Sequence, residues 1–238
     1  MKSMEAGQTS PHVTQQTVPT WDNERDLYSK GCSLVAGVDE AGRGAWAGPL
    51  VAGAVIFPCA EALVANPGED SLSTRLSTLR DSKMLSECIR EALLSVIYST
   101  ALAVGVGIVS STLVDVIGLG AANRLAMARA IRDLGIRPDY LLIDAFRLPS
   151  VRIPQLPIIK GDASCMSIAA ASIVAKMTRD RMMYDQDTLC PGYSFGRHKG
   201  YGTPHHVEAL SRLGVSPHHR RSYAPIKALL AQQYLSGE

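Results

Sequence analysis

Long apolar runs are absent from this sequence of 238 residues. A helix that crosses a bilayer needs about 20 consecutive apolar residues, and no stretch of the chain approaches that length. The N-terminal segment also lacks the apolar core of a secretory signal peptide, and its polar composition predicts a flexible tail. We therefore expect a cytoplasmic protein that does not engage a membrane. A chain of 238 residues can bury one sizeable core, so we expect one main domain with extensions.

Cysteine pairs with the spacing of a metal site are absent as well. The five cysteines are odd in number, lie far apart and form no C-x-x-C motif. This pattern argues against a disulfide framework and a cysteine-ligated zinc site, and it predicts reduced, mostly buried thiols. The charge of the chain gives no further indication, since 19% of the residues are charged and the formal net charge is +2, as in an ordinary globular protein. The cysteines are Cys32, Cys59, Cys88, Cys165 and Cys190.

Strand and helix patterns alternate along the chain after an opening hairpin. Residues 34–40 and 49–57 are two strand-like runs joined by a turn that contains Gly-Arg-Gly. The segments that follow predict an α/β layered domain with a mixed central β-sheet flanked by helices. The predicted divisions are a flexible N-terminal tail over 1–30, a main domain over 31–230 that ends in a basic helical segment, a C-terminal tail over 231–238, and a polar surface excursion over 58–80.

Carboxylates stand where the strand-like runs end. Asp39 and Glu40 follow "LVAGV", Asp144 closes "DYLLI", and Asp162 follows "QLPIIKG". The ends of strands are where α/β folds build their sites, and a buried carboxylate there needs a cation or hydrogen bonds to compensate its charge. Several converging carboxylates favour a divalent cation. Oxygen ligands suit Mg²⁺ or Mn²⁺ rather than zinc.

A purely structural role for these acids is the alternative. Each could simply end a strand or cap a helix, and Asp162 stands before a helical run, where an N-cap is common. Successive side chains of a strand point to opposite faces, so Glu40 can share a site with Asp39 only where the strand breaks into the turn. Gly42 and Gly44 make such a break plausible.

The glycines of the turn allow two interpretations. Residues 42–47, "GRGAWA", match the G-x-G-x-x-A fingerprint of dinucleotide-binding enzymes. That fingerprint requires a helix to follow, with its N-terminus facing a pyrophosphate. Here Pro49 and a strand-like run follow, and two acids stand where the anion would approach. A nucleotide-cofactor enzyme is therefore the weaker interpretation, and close approach of the backbone to a ligand is the better use of the glycines.

The C-terminal third is basic although the whole chain is nearly neutral. Residues 195–227 contain six Lys or Arg against one acid, together with five of the six histidines. Such a segment is typical of a surface that binds a phosphate backbone, and a solvated charged face is the alternative. The pairs His205-His206 and His218-His219 could indicate zinc, but adjacent histidines diverge. Metal-binding acids beside a phosphate-binding surface together predict metal-assisted phosphodiester hydrolysis with two ions.

Six blocks of sequence carry a resemblance to a known family. They occur in the order found in bacterial ribonuclease HII, a type 2 ribonuclease H, and the resemblance covers Val35 to Leu230. It implies a ribonuclease H-like fold with a helical C-terminal extension, and an endonuclease that cleaves RNA in RNA–DNA hybrids with Mg²⁺ or Mn²⁺. The blocks are "GVDEAGRGAWAGP", "DSKMLS", "LLIDA", "KGDAS" with "SIAAASIVAKMTRD", "HKGYGTPHH" and "HHRRSYAP".

The resemblance also implies roles for individual residues. Asp39, Glu40 and Asp144 match the acids that bind metal and carry catalysis in the family, and Asp162 matches its fourth active-site acid. Two positions depart from the family pattern. Ala145 stands where a glycine is expected, so the backbone path there could differ, and Ser164 stands where a basic residue is common.

Substrate binding involves a second set of residues. By the resemblance, Gly42, Arg43 and Gly44 are the backbone segment that reads the ribose, and Tyr201 stacks on the sugar at an RNA–DNA junction. From the basic segment we expect Lys199, Arg220 and Arg221 to contact phosphates.

Recognition of the 2′-hydroxyl sets the expected substrate, because that group distinguishes RNA from DNA. One ribonucleotide embedded in duplex DNA should therefore suffice, with the cut on its 5′ side leaving a 3′-hydroxyl and a 5′-phosphate. We expect a monomer. The alternative from another class is a catalytically inactive nucleic-acid-binding module that keeps the fold.

Overall fold

The computed structural model describes residues 18–59, 74, 76 and 85–236. Residues 1–17 and most of the predicted surface excursion over 58–80 lie outside the described residues, as do 237 and 238. Among the described residues, no helix combines the length and the apolar character that crossing a bilayer requires.

Five strands form one mixed sheet, as the alternating sequence pattern predicts. The order across the sheet is β3-β2-β1-β4-β5, with β1 antiparallel to β2, β2 antiparallel to β3, and both β1–β4 and β4–β5 parallel. The predicted opening hairpin is β1–β2, in which Ala41 pairs with Val51. The strands are β1 (Val35–Ala41), β2 (Leu50–Ile56), β3 (Ala103–Val109), β4 (Tyr140–Asp144) and β5 (Gln155–Ile158).

Helices cover both faces of this sheet. One face packs against α1, α2 and α5, and the other packs against α4. A short 3₁₀ turn, Gly161–Ala163, joins β5 to α5. The described helices are α1 (Asp22–Ser29), α2 (Glu87–Thr100), α3 (Ser111–Ile117), α4 (Leu119–Asp133), α5 (Met166–Leu189), α6 (Phe195–His198), α7 (Pro204–Leu213) and α8 (Ala224–Ser236).

Missing Cβ atoms let the two main helices approach the strands closely. A Cβ on Gly37 of β1 would lie 2.1 Å from the backbone carbon of Ser167 in α5. On the other face, a Cβ on Gly107 of β3 would lie 1.9 Å from the carbonyl oxygen of Ala126 in α4. Real carbon atoms cannot approach so closely, so a larger residue at either position would push a helix off the sheet. The sheet and helices are therefore held in a fixed relative position.

The predicted tail boundary at residue 30 is wrong for the segment that the structure describes. Trp21 and Leu27 are buried in the core beside α5, and Trp21 packs edge-on against Phe57 with 5.4 Å between ring centroids. Glu24 is buried too, and its Oε1 accepts a hydrogen bond of 2.8 Å from the N–H of Ser167. The sequence of α1 is mostly polar, so its pattern does not indicate burial. Its few apolar side chains are nevertheless enough to anchor this short helix on the core.

Two further sequence-based expectations differ from the structure. The last helix continues to Ser236, so it extends into the predicted C-terminal tail over 231–238. The five cysteines are free, as expected, but only Cys165 is buried, while Cys88 is exposed and the other three are intermediate. The prediction of mostly buried thiols is therefore wrong, because spacing in the sequence carries no information on exposure.

Replacing Trp21 with alanine tests whether this N-terminal segment belongs to the folded domain. Trp21 is 3% exposed, so Trp21→Ala should lower the free energy of unfolding by about 3 to 5 kcal/mol. Val18→Ala is the control, because Val18 is 47% exposed and its truncation should cost little. Chemical denaturation of both variants measures the difference. Equal stabilities would show that residues 18–30 are dispensable to the core.

Candidate active site

Three of the four predicted acids meet at one edge of the sheet. Asp39 and Glu40 lie in β1, and Asp144 is the last residue of β4. The parallel pairing of these strands is described up to Val38 opposite Ile143, so the acids follow directly at the carboxyl end of both strands. One ligand atom from each of the three carboxylates lies within 4.8 Å of the other two. The sheet topology thus brings residues 39 and 144 together from distant parts of the chain.

Glu40 reaches this cluster without the break in strand geometry that the sequence argument required. β1 keeps its pairing with β2 through Ala41, and Glu40 itself pairs with Ala52. The glutamate side chain is long enough to approach the other carboxylates from a regular strand position. Its Oε1 lies 3.2 Å from Nη1 of Arg43, which forms an ion pair with it.

Burial and mutual repulsion raise the pKa values of two of these acids. Asp39 is 5% exposed, and its pKa lies well above the usual range because of burial first and then the charges of Glu40 and Asp144. Burial also raises the pKa of Glu40, with a further contribution from Asp144, while Arg43 acts in the opposite direction. The Oε2 atom of Glu40 is buried and has no hydrogen-bond partner in the described part of the chain. Arg43 alone therefore does not offset the cost of ionising all three carboxylates.

An oxygen-liganded divalent cation fits this arrangement. The donors are carboxylate oxygens alone, which suit Mg²⁺ or Mn²⁺, and one of them is buried without a partner. Carboxylate clusters of this kind are stable in the charged form only when a cation compensates them.

Asp162 lies in the same cleft but outside the group of three. It is part of the 3₁₀ turn Gly161–Ala163, beyond the end of β5 at Ile158. The expectation that it ends a strand is therefore wrong, and so is the N-cap alternative, because Cys165 occupies that position of α5. The N–H of Gly161 donates a hydrogen bond of 2.8 Å to Oδ1 of Asp144, which ties the turn to the acid cluster.

The cleft around the acids has a volume of about 620 Å³. Besides the acids and the predicted turn, three residues that the sequence argument did not single out line it: Arg90, Ser172 and Lys176. Nζ of Lys176 lies 2.6 Å from both carboxylate oxygens of Asp180, and burial lowers the pKa of Lys176. One face of α5 carries residues 172, 176, 179 and 180. Their helical spacing is the sequence feature that could have indicated that they lie together beside the cleft.

Two buried arginines hold the loop that follows β1. Arg179 of α5 donates to the carbonyl oxygens of Pro49 at 2.9 Å and Ala47 at 3.1 Å. Arg220 donates from Nη1 to the carbonyl of Gly42 at 2.7 Å, and from Nε and Nη2 to that of Gly48 at 3.1 and 3.0 Å. The loop carbonyls therefore face two internal guanidinium groups.

The prediction that Arg220 contacts phosphates is accordingly wrong. Its exposed fraction is 0%, and its donors are used by loop carbonyls and by the hydroxyl of Tyr223. A run of basic residues does not show which of them is buried. The carbonyl oxygens that accept hydrogen bonds from Arg220 lie more than 170 residues away in the sequence. Arg220 is a structural residue of the site.

The same contacts revise the role of the glycines. Gly42 has a φ of +94°, and a Cβ there would lie 2.1 Å from Nε of Arg179, so this glycine is required by internal packing. Gly44 is open, since a Cβ there would lie 3.9 Å from the ring of Tyr201, an ordinary contact distance. The backbone N–H groups of Arg43 and Gly44 form no hydrogen bond with the described residues. Those two groups can bind a ligand in the cleft.

The remaining predicted substrate contacts differ in their positions. Tyr201 is 38% exposed and lines the cleft, with the guanidinium carbon of Arg179 at 5.5 Å from its ring centroid. Arg221 has an exposed side chain, while its backbone N–H donates to Oδ2 of Asp115. Lys199 is outside the cleft lining, and its Nζ stands 3.4 Å above the ring of Tyr184.

Ala145 has a backbone conformation that glycine adopts more readily than alanine. Its φ is +58°, in the left-handed region, which costs an alanine about 1 kcal/mol. At the other departure, Oγ of Ser164 donates a hydrogen bond of 3.2 Å to the carbonyl oxygen of Lys160 within the turn.

The structure supports neither a dinucleotide-binding turn at residues 42–47 nor a zinc site at the histidine pairs. The segment after residues 42–47 is the strand β2, so no helix N-terminus faces a pyrophosphate there. In the histidine pairs, His206 and His219 hydrogen-bond to each other through their Nε2 atoms at 2.9 Å. Within the described ranges, the one group of acids, histidines or cysteines close enough to hold a metal ion is Asp39, Glu40 and Asp144.

Comparison with known proteins gives an independent assignment. The family described as ribonuclease HII matches residues 36–226. A ribonuclease HII of Dehalococcoides mccartyi is 46% identical over 211 residues, which covers 89% of this chain and 95% of that relative. The crystal structure of the ribonuclease H2 from Pyrococcus horikoshii superposes with a TM-score of 0.65 at 26% identity, covering 84% of this chain and 98% of that one.

A more distant structure shows the same fold. The Bst ribonuclease HIII, crystallised in complex with Mn²⁺, has a TM-score of 0.62 at 18% identity and covers 86% of this chain and 71% of its own. The family match spans most of the chain and includes both strands that carry the acid cluster. The chain therefore belongs to the ribonuclease HII family, has a ribonuclease H-like fold and is a nuclease of the hydrolase class.

Proposed function

We propose that this protein hydrolyses the RNA strand of RNA–DNA hybrids and also incises duplex DNA on the 5′ side of a single embedded ribonucleotide. The products would be a 3′-hydroxyl and a 5′-phosphate. The observation that carries the proposal is that one cleft is lined by the three-carboxylate cluster, by Tyr201 and by Arg43 and Gly44, whose backbone N–H groups have no partner among the described residues. A cytoplasmic location and a monomeric state stay predictions of the sequence.

Asp39, Glu40 and Asp144 would hold the divalent metal, Mn²⁺ or Mg²⁺, with Asp162 at the side of the same cleft. Two such ions, when bound, activate water and stabilise the leaving oxygen of an in-line displacement. The protein's own contribution is to hold the three carboxylates close together on rigid strands, where a bound cation would favour their charged form. Gly161 assists by donating its N–H to Asp144, which fixes that carboxylate.

Discrimination between RNA and DNA is assigned to the loop after β1. The N–H groups of Arg43 and Gly44 are free to contact the 2′-hydroxyl, and no side chain at Gly44 obstructs the approach. Because Arg179 and Arg220 hold the loop carbonyls inside the protein, the loop keeps this conformation before substrate binds.

Tyr201 is assigned to the sugar on the 3′ side of the ribonucleotide. Its ring lies next to Gly44, and stacking on a deoxyribose is favourable where a 2′-hydroxyl would crowd the ring. The guanidinium of Arg179 supports the ring from behind. Loop and tyrosine together would therefore recognise an RNA-to-DNA step.

The proposed metal ligands can be tested by removing the charge of one carboxylate at a time. Asp39→Asn and Asp144→Asn should each reduce cleavage by about 100-fold or more, because metal ligation needs the charge, and hybrid binding should persist. An uncleaved but bound hybrid would separate this assignment from loss of the fold. Near-normal turnover of either variant with Mg²⁺ would overturn it.

Unfolding of the same Asp39→Asn variant provides a test without activity. The raised pKa of Asp39 means that the folded protein disfavours the charged form, so its cost to stability grows as pH rises above the unfolded pKa. Metal-free Asp39→Asn should therefore be more stable than wild type at pH 7, with a smaller difference near pH 4. Added Mn²⁺ should stabilise the wild type more than the variant. A variant with unchanged Mn²⁺ response would contradict the ligand assignment.

Junction recognition predicts a substrate-dependent loss. Tyr201→Ala should lose most cleavage of DNA with one embedded ribonucleotide and less cleavage of a long uniform hybrid, where junction reading matters less. The measured quantity is the substrate ratio, that is, kcat/KM for DNA with one embedded ribonucleotide divided by kcat/KM for the uniform hybrid. Circular dichroism checks the fold. Equal losses on both substrates would mean that Tyr201 serves catalysis or folding in general.

Salt dependence tests the exposed part of the basic segment. Arg221→Ala should weaken hybrid binding and reduce the slope of log K against log salt by about 1, since one phosphate contact is lost. Arg137→Ala is the matched control, because Arg137 is exposed but precedes β4, at the edge of the sheet away from Asp144. An unchanged slope for Arg221→Ala would place the nucleic acid elsewhere on the surface.

A further inference from the structure

Three buried histidines form a cluster that neither the acid site nor the basic surface uses. His198, His206 and His219 are 7%, 0% and 1% exposed and surround the ring of Phe195. The rings of His198 and His206 stack with 4.2 Å between centroids. The cluster lies directly behind the segment that carries Tyr201.

The hydrogen bonds run in one direction through this cluster. The N–H of Ser216 donates to Nδ1 of His219 at 3.0 Å, so the ring proton of His219 is on Nε2. That nitrogen lies 2.9 Å from Nε2 of His206 and donates to it. The proton of His206 is then on Nδ1, which donates to the carbonyl oxygen of Tyr201 at 3.0 Å. This chain requires both rings to be neutral, because Nε2 of His206 and Nδ1 of His219 must each accept a hydrogen bond.

The surroundings keep the rings neutral. Burial lowers the pKa values of His206 and His219 to about 4, with His198 adding to the effect on His206 and His206 to that on His219. Other titratable groups nearby are His218 beside His219, and His205 and Asp187 beside His198. His198 is held by its own bonds, since Nε2 donates to the carbonyl of Tyr193 at 2.7 Å.

The backbone at Tyr201 needs such support. Lys199 and Gly200, the two residues before it, have φ values of +52° and +79°, so the chain turns sharply there. The N–H of Tyr201 donates to the carbonyl of His198 at 2.9 Å. Its carbonyl accepts from the N–H of Thr203 at 2.8 Å as well as from His206. Of these three contacts, the bond from His206 is the one made by a side chain.

We propose that His206 is a positioning residue for junction recognition: its Nδ1–H holds the backbone of Tyr201, and His219 fixes the ring proton that makes this possible. The inference rests on the proposed role of Tyr201 in reading the RNA–DNA step. Loss of the bond should let the Tyr201 segment shift, which lowers cleavage at a single ribonucleotide more than cleavage of a uniform hybrid.

Two amide variants of His206 separate the donor from the volume of the ring. The amide nitrogen of asparagine stands near the place of Nδ1, whereas that of glutamine stands near the place of Nε2. His206→Asn should keep the wild-type ratio of kcat/KM for the two substrates within about threefold. His206→Gln should lower that ratio by about tenfold, as loss of one buried hydrogen bond does. Thermal unfolding of both full-length variants checks that they fold. A similar ratio in both variants, or equal losses on both substrates, would overturn the proposal.

Tyr201→Ala separates this inference from the proposed function. If Tyr201→Ala leaves the ratio unchanged, the junction role fails and the inference fails with it. If Tyr201→Ala lowers the ratio but His206→Gln does not, only the inference fails. In the expected case, adding His206→Gln to Tyr201→Ala lowers the ratio no further, because both changes act through one contact.

Nitrogen-15 spectra of the histidines test the proton positions directly in the folded wild type. His206 should show a protonated Nδ1 and His219 a protonated Nε2 at pH 7. His219→Leu removes the donor to Nε2 of His206, so His206 should then populate the other tautomer and the substrate ratio should fall in the direction of His206→Gln. A protonated Nε2 on His206 in the wild type would overturn the proposal whatever the variants do.

Discussion

Uncompensated negative charge at the end of β1 and β4 is the constraint on which the rest of the structure depends. Three carboxylates within 4.8 Å of one another repel, and burial adds to the cost of keeping them charged. Such a cluster persists only if the strands that carry it cannot move apart. The close packing of α5 on Gly37 and of α4 on Gly107 provides that rigidity from both faces of the sheet. Stability is thus lost locally in favour of a metal-binding geometry.

The loop beside the acids is organised by the opposite charge. Arg179 and Arg220 are buried, and among the described residues neither forms an ion pair within 4 Å; carbonyl oxygens of residues 42–49 receive their donors instead. Carbonyl dipoles that point inward leave the N–H groups of Arg43 and Gly44 available to the cleft. The same arginines therefore satisfy the protein interior and prepare a backbone surface that can distinguish a hydroxyl from a hydrogen.

Local patterns in the sequence predicted the strands, the opening hairpin and the acids, because strand periodicity and the cost of a buried carboxylate are both visible in short stretches. The predictions that were wrong concern residues whose burial or position depends on contacts with residues far away in the sequence. A run of basic residues normally faces solvent, so the sequence predicts that Arg220 contacts phosphates, whereas the structure buries it. The sequence indicates close approach of a ligand to Gly42, whereas in the structure Arg179 fills the space that a Cβ would need. The anchoring of α1 by Trp21, like the position of Asp162 in a turn, depends on packing that a polar sequence does not reveal.

Helix α5 connects the chemistry of cleavage to the recognition of the substrate. It rests on β1, which carries two of the acids, and it presents Lys176 to the cleft and Arg179 to both the loop and Tyr201. The contacts of Arg179 with the loop are buried hydrogen bonds, so added salt screens them little, whereas exposed phosphate contacts such as that proposed for Arg221 weaken steeply. The relative position of acids, loop and tyrosine is therefore independent of how tightly the nucleic acid is held. This separation lets a weakly bound substrate meet the same geometry as a tightly bound one.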